Sequence, residues 1–213
     1  MTEKIHIRQL GRREYVPVWE AMQEYALTRD ENSPDELWCV EHPAVFTQGR
    51  NGKSEHLLNH QHPIPVIQTD RGGQITYHGP GQAVVYVLID LKRRKMGVRE
   101  LVSALELTTI QFLNTLGLEA QARKDAPGVY VHGDKIASLG LRVRRGCSYH
   151  GLSFNVDMDL TPFSWINPCG LLKQKVTQLS DFNIHLETAD CGRQLARRLA
   201  ARLEYTTVID IES

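Results

Sequence analysis

The stretch CSYHGLSFNVDMDL, residues 147–160, alternates along its length: His150, Leu152, Phe154, Val156, Met158 and Leu160 share one parity, and Tyr149, Gly151, Ser153, Asn155 and Asp157 share the other. A period of two is that of a strand, because successive Cβ atoms leave opposite faces of the pleat. The segment predicts a strand with one buried face, with His150 on its apolar side.

Working outward, GVYVHGDKIASLGLRVRRG (128–146) carries a Gly133-Asp134 turn that fits a hairpin. IPVIQTDRGGQITYHGPGQAVVYVLIDL (64–91) reads as β segments punctuated by Gly-Gly and Gly-Pro-Gly, which suggests further hairpins with unusual backbone angles at the turns. ELWCVEH (36–42) reads as a strand. Three helices surround this region. The first follows from Val18, Met22 and Tyr25 with Pro17 in its first turn, and the second from Leu101, Leu105, Phe112 and Leu116 with Gly117 as its stop. The third places Cys191, Leu195, Leu199 and Leu203 on one face. A strand-rich middle with flanking helices is α+β or mixed α/β, and no linker divides it, so one domain over 1–213 with its core at about 30–207 is expected.

Composition narrows the function. At 41% hydrophobic and 23% charged, the 213 residues are those of an ordinary globular chain. No apolar run is long enough to cross a bilayer, and MTEKIHIRQLGRREY lacks the apolar core of a signal peptide, so a soluble cytoplasmic protein with no membrane partner is expected. Twenty-five basic and 25 acidic residues leave no net charge to attract nucleic acid. Two local clusters stand out, Lys92, Arg93, Arg94, Lys95 and Arg99 in one, Arg142, Arg144 and Arg145 in the other. Each reads as a solvated face or, given an acidic partner, as a docking element.

Cofactor motifs fail on inspection. Gly52-Lys53-Ser54 has Thr47 where a phosphate loop needs its first glycine, and GGQITYHGPGQ lacks the GxGxxG order. The nine histidines and four cysteines form no four-ligand metal pattern. Thiol chemistry is left. Cys191 falls on an apolar helix face and Cys39 inside a strand, whereas Cys169, in INPCGL (166–171), follows an Asn-Pro turn and precedes a glycine. Cys147, after two arginines and a glycine, is its rival. His78, His150 and Lys135 are the candidate partners for a thiolate, and spacing alone does not choose among them.

Three motifs in order, RGGQITYHGPGQ (71–82), DAPGVYVHGDKIASLGLRVRRGCSYHGLSFNVDMDL (125–160) and FSWINPCG (163–170), resemble those of the lipoyl-synthesis octanoyltransferases, the lipoate-protein ligase B family. The resemblance implies a biotin/lipoyl protein ligase fold, a mixed β-sheet flanked by helices. It implies transfer of an octanoyl group from the phosphopantetheine thioester of acyl carrier protein to a lysine of apo lipoyl domains, those of 2-oxoacid dehydrogenases and the glycine cleavage H protein. Neither ATP nor metal is needed, and the enzyme is expected to be a monomer. By motif, Cys169 is the acyl-accepting nucleophile and Lys135 its pKa-lowering acid and base. Arg71, Gly72, Gly73, Gln74, Ile75, Thr76, Tyr77 and His78 line the acyl site in the family, as do Ser138, Leu139 and Gly140, and Gly151, Leu152 and Ser153 with neighbouring His150. An ATP-dependent lipoate or biotin ligase, a module binding acidic proteins or RNA, and a papain-like protease are the rivals. NPCG with GDK argues against the first, zero net charge against RNA, and the lack of a papain signature around Cys169 against the last.

Overall fold

The computed structural model describes residues 4–59, 61–124, 126–167 and 175–212. The elements run β1 (Lys4–Arg12), α1 (Tyr15–Thr28), β2 (Asp35–Glu41), β3 (Val45–Gln48), β4 (Val66–Gln68), β5 (Ile75–His78), β6 (Gln82–Leu88), α2 (Val98–Thr115), β7 (Ala120–Ala122), β8 (Gly128–Val131), β9 (Asp134–Arg144), β10 (Cys147–Asn155), α3 (Thr188–Arg202) and β11 (Thr207–Glu212). Eight strands form one mixed sheet in the order β11-β1-β2-β6-β10-β9-β8-β7, and β4-β3-β5 form a second. In the large sheet β1 runs parallel to both its neighbours, while every pair from β2 to β7 is antiparallel.

After Gln82, β6 is apolar on both parities, a pattern a strand sustains only when both of its faces are covered. Ala83, Val85 and Val87 pack toward Leu105 and Phe112 of α2 and Leu195 and Leu199 of α3. Val84, Tyr86 and Leu88 pack toward Val18, Met22 and Ala26 of α1. The next strand, β10, divides in the same way: Leu152 and Phe154 join the α2–α3 side, and Cys147 and Tyr149 the α1 side. It is therefore buried on both faces, where alternation predicted one.

Several expectations are corrected by this packing. The strand stops at Asn155, and Met158 turns into a separate cluster with Phe46, Tyr77 and Phe163. His150 does not stay with the apolar parity, because its backbone is left-handed at φ 59° and its ring meets the same carboxylate as that of Tyr149. The segments on either side of Gly-Pro-Gly are not a hairpin: β5 belongs to the small sheet and β6 to the large one. The Gly81 carbonyl instead accepts the N–H groups of Val156 and Asp157, which pins this turn to the end of β10. The hairpin between β8 and β9 turns on His132-Gly133, at φ 51° and 90°, one residue earlier than Gly133-Asp134. The core also begins before residue 30, since Ile5 and Ile7 of β1 are wholly buried.

One buried carboxylate ties the periphery together. Asp35 accepts from Arg29 at 2.7 Å, Arg93 at 2.7 Å, the Tyr205 hydroxyl at 2.7 Å and the Asp90 N–H at 2.8 Å. It joins β2 to the end of α1, the turn after β6 and the residues after α3.

Phe154 meets Phe112 edge to face at 5.6 Å and is fully buried. Phe154→Ala is expected to cost about 3–5 kcal/mol through the cavity it leaves, a fall of roughly 10 °C in Tm for a chain of this size. Thermal unfolding followed by circular dichroism checks it.

Candidate active site

Between the small sheet and the large one, reached by Tyr15 at the start of α1, lies a cavity of about 320 Å³. Its walls are mainly apolar: Ile75 from β5, Val84 from β6, Leu139 and Leu141 from β9, Leu152 from β10, and Val98 and Val102 from the first turns of α2. All three sequence groups meet here. Residues 71–76 and His78, residues 138–140, and residues 150–153 line the cavity, and so does Lys135. Tyr77 does not, because β5 turns its ring outward against Phe46 at 5.5 Å and Phe163 at 5.4 Å. Cys169 lies outside the described residues, as does all of 168–174.

The flanks of that stretch are anchored, the second of them to the site. Before it, Asn167 N–H donates to the His56 carbonyl at 2.8 Å. After it, the Lys175 carbonyl accepts from Lys135 N–H at 2.9 Å, and Thr177 N–H donates to the Lys135 carbonyl at 2.9 Å. Val176 thus pairs beside Lys135, and both line the cavity. The Lys135 side chain is buried; its Nζ donates to the Pro127 carbonyl at 3.2 Å and lies 5.3 Å from the centre of the Tyr130 ring. Gly128, at φ 146°, leaves room for it, since a Cβ there would stand 3.0 Å from Lys135 Cε.

Asp70, which sequence reasoning passed over, organises the opposite wall. It accepts from Trp19 Nε1 at 3.0 Å, from Gln23 Nε2 at 3.4 Å, from the Tyr149 hydroxyl, and from His150 Nε2 at 3.0 Å. Burial is the largest single influence and pushes this carboxyl up, but the donors His150, Tyr149 and Trp19 together outweigh it and hold it well below the usual range. Burial lowers the pKa of His150 against the pull of Asp70. The imidazole is therefore neutral at pH 7, and its contact with Asp70 is a hydrogen bond rather than an ion pair. With Nε2–H given to the carboxylate, Nδ1 carries the lone pair, and it has no partner among the described residues. The one sequence signal for Asp70 was its place directly before the Arg71 motif.

Two further histidines are fixed in tautomer by their partners. His42 Nδ1 faces only the Arg13 carbonyl, at 2.7 Å, so it carries the proton, and Nε2 accepts the Tyr86 hydroxyl at 2.7 Å. Gln82 donates its amide to Asn155 Oδ1 at 2.9 Å, which leaves Oε1 to accept from His78 Nδ1 at 2.7 Å. His78 Nε2 therefore carries the lone pair. Burial lowers His42 to about 4. It lowers His78 to about 3, with His42 as the next largest cause. Arg71 is a buried cation whose acceptors are all neutral: the Thr47 hydroxyl and carbonyl and the Gly72 carbonyl.

The cysteines other than Cys169 are buried. Burial pushes the Cys39 and Cys191 thiols up to about 12. Cys147 is also raised by burial, against the opposing pull of Arg29, which weakens it as a rival nucleophile.

The model of the lipoyl protein ligase A/B catalytic domain matches residues 17–200. An octanoyltransferase of Marinobacter nauticus is 56% identical over 202 residues, 95% of either chain. Among solved structures, a T. acidophilum putative lipoate protein ligase with bound lipoic acid superposes with a TM-score of 0.77 at 16% identity, over 99% of this chain and 89% of that one. The biotin protein ligase of Aquifex aeolicus, solved with biotin and ATP, gives 0.61 at 11% identity, over 93% and 70%. At those identities the two structures speak for the fold alone.

The depressed histidines set a pH dependence. Unfolded, both titrate near 6.5, whereas folded they titrate near 4 and 3. Below about 6.5 the unfolded chain binds protons that the fold refuses, so stability is complete above that pH and falls on acidification, by up to ~1.4 kcal/mol per pH unit for each histidine. Asp70 titrates below this window. The urea midpoint is expected to drop between pH 7.5 and 5, and His42→Gln is expected to flatten the slope. A midpoint that rises on acidification contradicts the assignment.

Proposed function

Because this chain belongs to the lipoyl protein ligase A/B catalytic-domain family and is an octanoyltransferase, an acyltransferase of protein lipoylation, we propose that it works through a thioester on Cys169 with Lys135 as proton carrier. The donor is octanoyl-acyl carrier protein and the acceptor a lysine of an apo lipoyl domain. ATP and metal have no part, because the acyl group arrives already activated.

The observation that supports this reading best is Lys135, a buried lysine on the wall of a mainly apolar cavity. Its backbone is bonded to Lys175 and Thr177, just past the stretch that contains Cys169. An ammonium beside a thiol favours the thiolate, and such surroundings bring a thiol pKa from ~8.5 into the range of ~3.5–7.5. The thiolate attacks the donor carbonyl. As the tetrahedral adduct collapses, the carbon–sulfur bond to the carrier breaks and the departing thiol takes its proton from Lys135. Lys135, now neutral, then receives a proton from the target amine as it attacks the enzyme thioester. The amide forms, the Cys169 thiolate leaves, and the ion pair is restored.

The developing oxyanion needs preorganised donors. β8 covers β9 only as far as the pair Gly128 and Ser138, so the edge of β9 at Leu139–Leu141 opens beside the cavity. The Leu139 N–H is the proposed donor. The Leu141 carbonyl on the same edge is taken by Gly72 N–H at 2.9 Å. No helix among the described residues is long and apolar enough to cross a membrane, and a cytoplasmic monomer suits these soluble protein substrates.

Intact-protein mass spectrometry after mixing with octanoyl-acyl carrier protein, without ATP, is expected to show one octanoyl adduct labile to hydroxylamine. Cys169→Ser is expected to show none, and Lys135→Ala to lose transfer by about 100-fold or more, the scale of a removed acid–base group. Adduct formation in Cys169→Ser, or transfer only with free octanoate and ATP, contradicts the mechanism.

A further inference from the structure

The two cationic clusters, far apart in sequence, form one surface. Leu91 N–H donates to the Gly146 carbonyl at 2.9 Å, Ser148 N–H donates to the Ile89 carbonyl at 2.9 Å, and Asp90 bridges Cys147. The turn after β6 therefore lies against the tip of the β9–β10 hairpin. The methylenes of Lys92 cover Gly146, where a Cβ would stand 2.7 Å from Lys92 Cγ and Cε.

Not every cation there is available. Arg93 is used by Asp35 and by the carbonyls of Glu31 and Ser33, and Arg94 donates to the Leu203 carbonyl while lying 4.4 Å from the centre of the Tyr205 ring. Lys92, Lys95, Arg99, Arg144 and Arg145 are exposed, and none of them forms an ion pair among the described residues. Arg145 has one long bond, 3.4 Å to the Leu27 carbonyl. The nearby carboxylates are engaged locally, Asp90 by Arg93 N–H and Glu100 by Gly97 N–H. Five cations thus stand without an ion-pair partner among the described residues on one face of a chain whose formal net charge is zero.

This face abuts the cavity. Arg99 lies between Val98 and Val102 in the first turns of α2, and Arg144 lies three residues beyond Leu141 on β9; all three apolar residues line the cavity, and Val98 is 43% exposed. Resting on the transferase reading, we propose that this surface docks the acidic protein that carries the acyl thioester. The donor must thread its whole acyl chain past this apolar rim, so its body sits against it, whereas the acceptor need only present an amine. Complementary charge raises the rate of encounter and is screened by salt over about 8 Å at physiological ionic strength.

The test compares wild type with Lys92→Glu/Arg99→Glu/Arg144→Glu, using octanoyl-acyl carrier protein and octanoyl-pantetheine as alternative donors over a range of ionic strength. The variant is expected to raise the KM for the carrier by about tenfold or more at low salt and to abolish its salt dependence. Turnover of octanoyl-pantetheine and the KM for the lipoyl domain are expected to stay as in wild type, which also shows that the variant is folded. An unchanged carrier KM overturns the proposal, as does an equal loss with octanoyl-pantetheine or a shift in the lipoyl domain's KM instead. Wild-type protein that turns over neither donor overturns the transferase mechanism itself, and the docking site with it.

Discussion

Burial of β6 and β10 on both faces is the constraint from which the rest of the architecture follows. A strand apolar on one parity needs one layer against it, but here each parity needs its own. α2 and α3 meet the first demand. On the other side α1, with 14 residues and therefore about 21 Å long, covers only part of the sheet, and the three-stranded β4-β3-β5 unit covers more. The space left where β5 stands away from β9 and β10 is the cavity. Its apolar lining draws on both clusters, Val84 from the α1 side and Leu152 from the other, joined by Val98 and Val102 of α2.

Polar groups on and behind that lining are arranged so that the histidines carry no charge. His42 and His78 are held neutral by burial, with their tautomers set by a carbonyl and by Gln82, and His150 is held neutral beside an ionised Asp70. Asp70 and Arg71 are neighbours in sequence with opposite charges, yet neither serves the other. The carboxylate is satisfied by four donors from α1 and β10, the guanidinium by three neutral oxygens around Thr47 and Gly72. A buried charge satisfied only by dipoles is sensitive to the loss of any of them. The segment that these two residues begin is consequently anchored on both sides, and residues 71–76 run from it along the cavity.

Much of this was legible in the sequence where local pattern and global packing agree. The three helices, β2, β6 and the middle of β10 follow from periodicity because each has an apolar face that matches its neighbours. His150 did not, because a single left-handed residue inside a strand redirects a side chain without altering the alternation of letters. The Gly-Pro-Gly turn misled for a related reason: glycine and proline announce a reversal but not which strand pairs with the next. Asp70 was invisible because its donors, Trp19, Gln23, Tyr149 and His150, come from segments up to 80 residues away. The grouping of residues 71–78, 138–140 and 150–153 came from family resemblance, and the fold brings all of them except the Tyr77 ring to one cavity.

The edge of the large sheet has a consequence for how the chain reaches this state. β11 pairs in parallel with β1, matching Lys4 with Thr207 and Gln9 with Glu212, so a strand at the beginning of the sequence is completed by one at its end. Until that pairing forms, β1 offers an open backbone edge beside Ile5 and Ile7, the kind of surface on which chains join one another. Closing it requires the longest loop in the molecule, and such contacts come late in folding. The edge open to such joining during refolding is therefore the one that the outermost strand closes, at the opposite end of the large sheet from β7 and with four strands between it and β9.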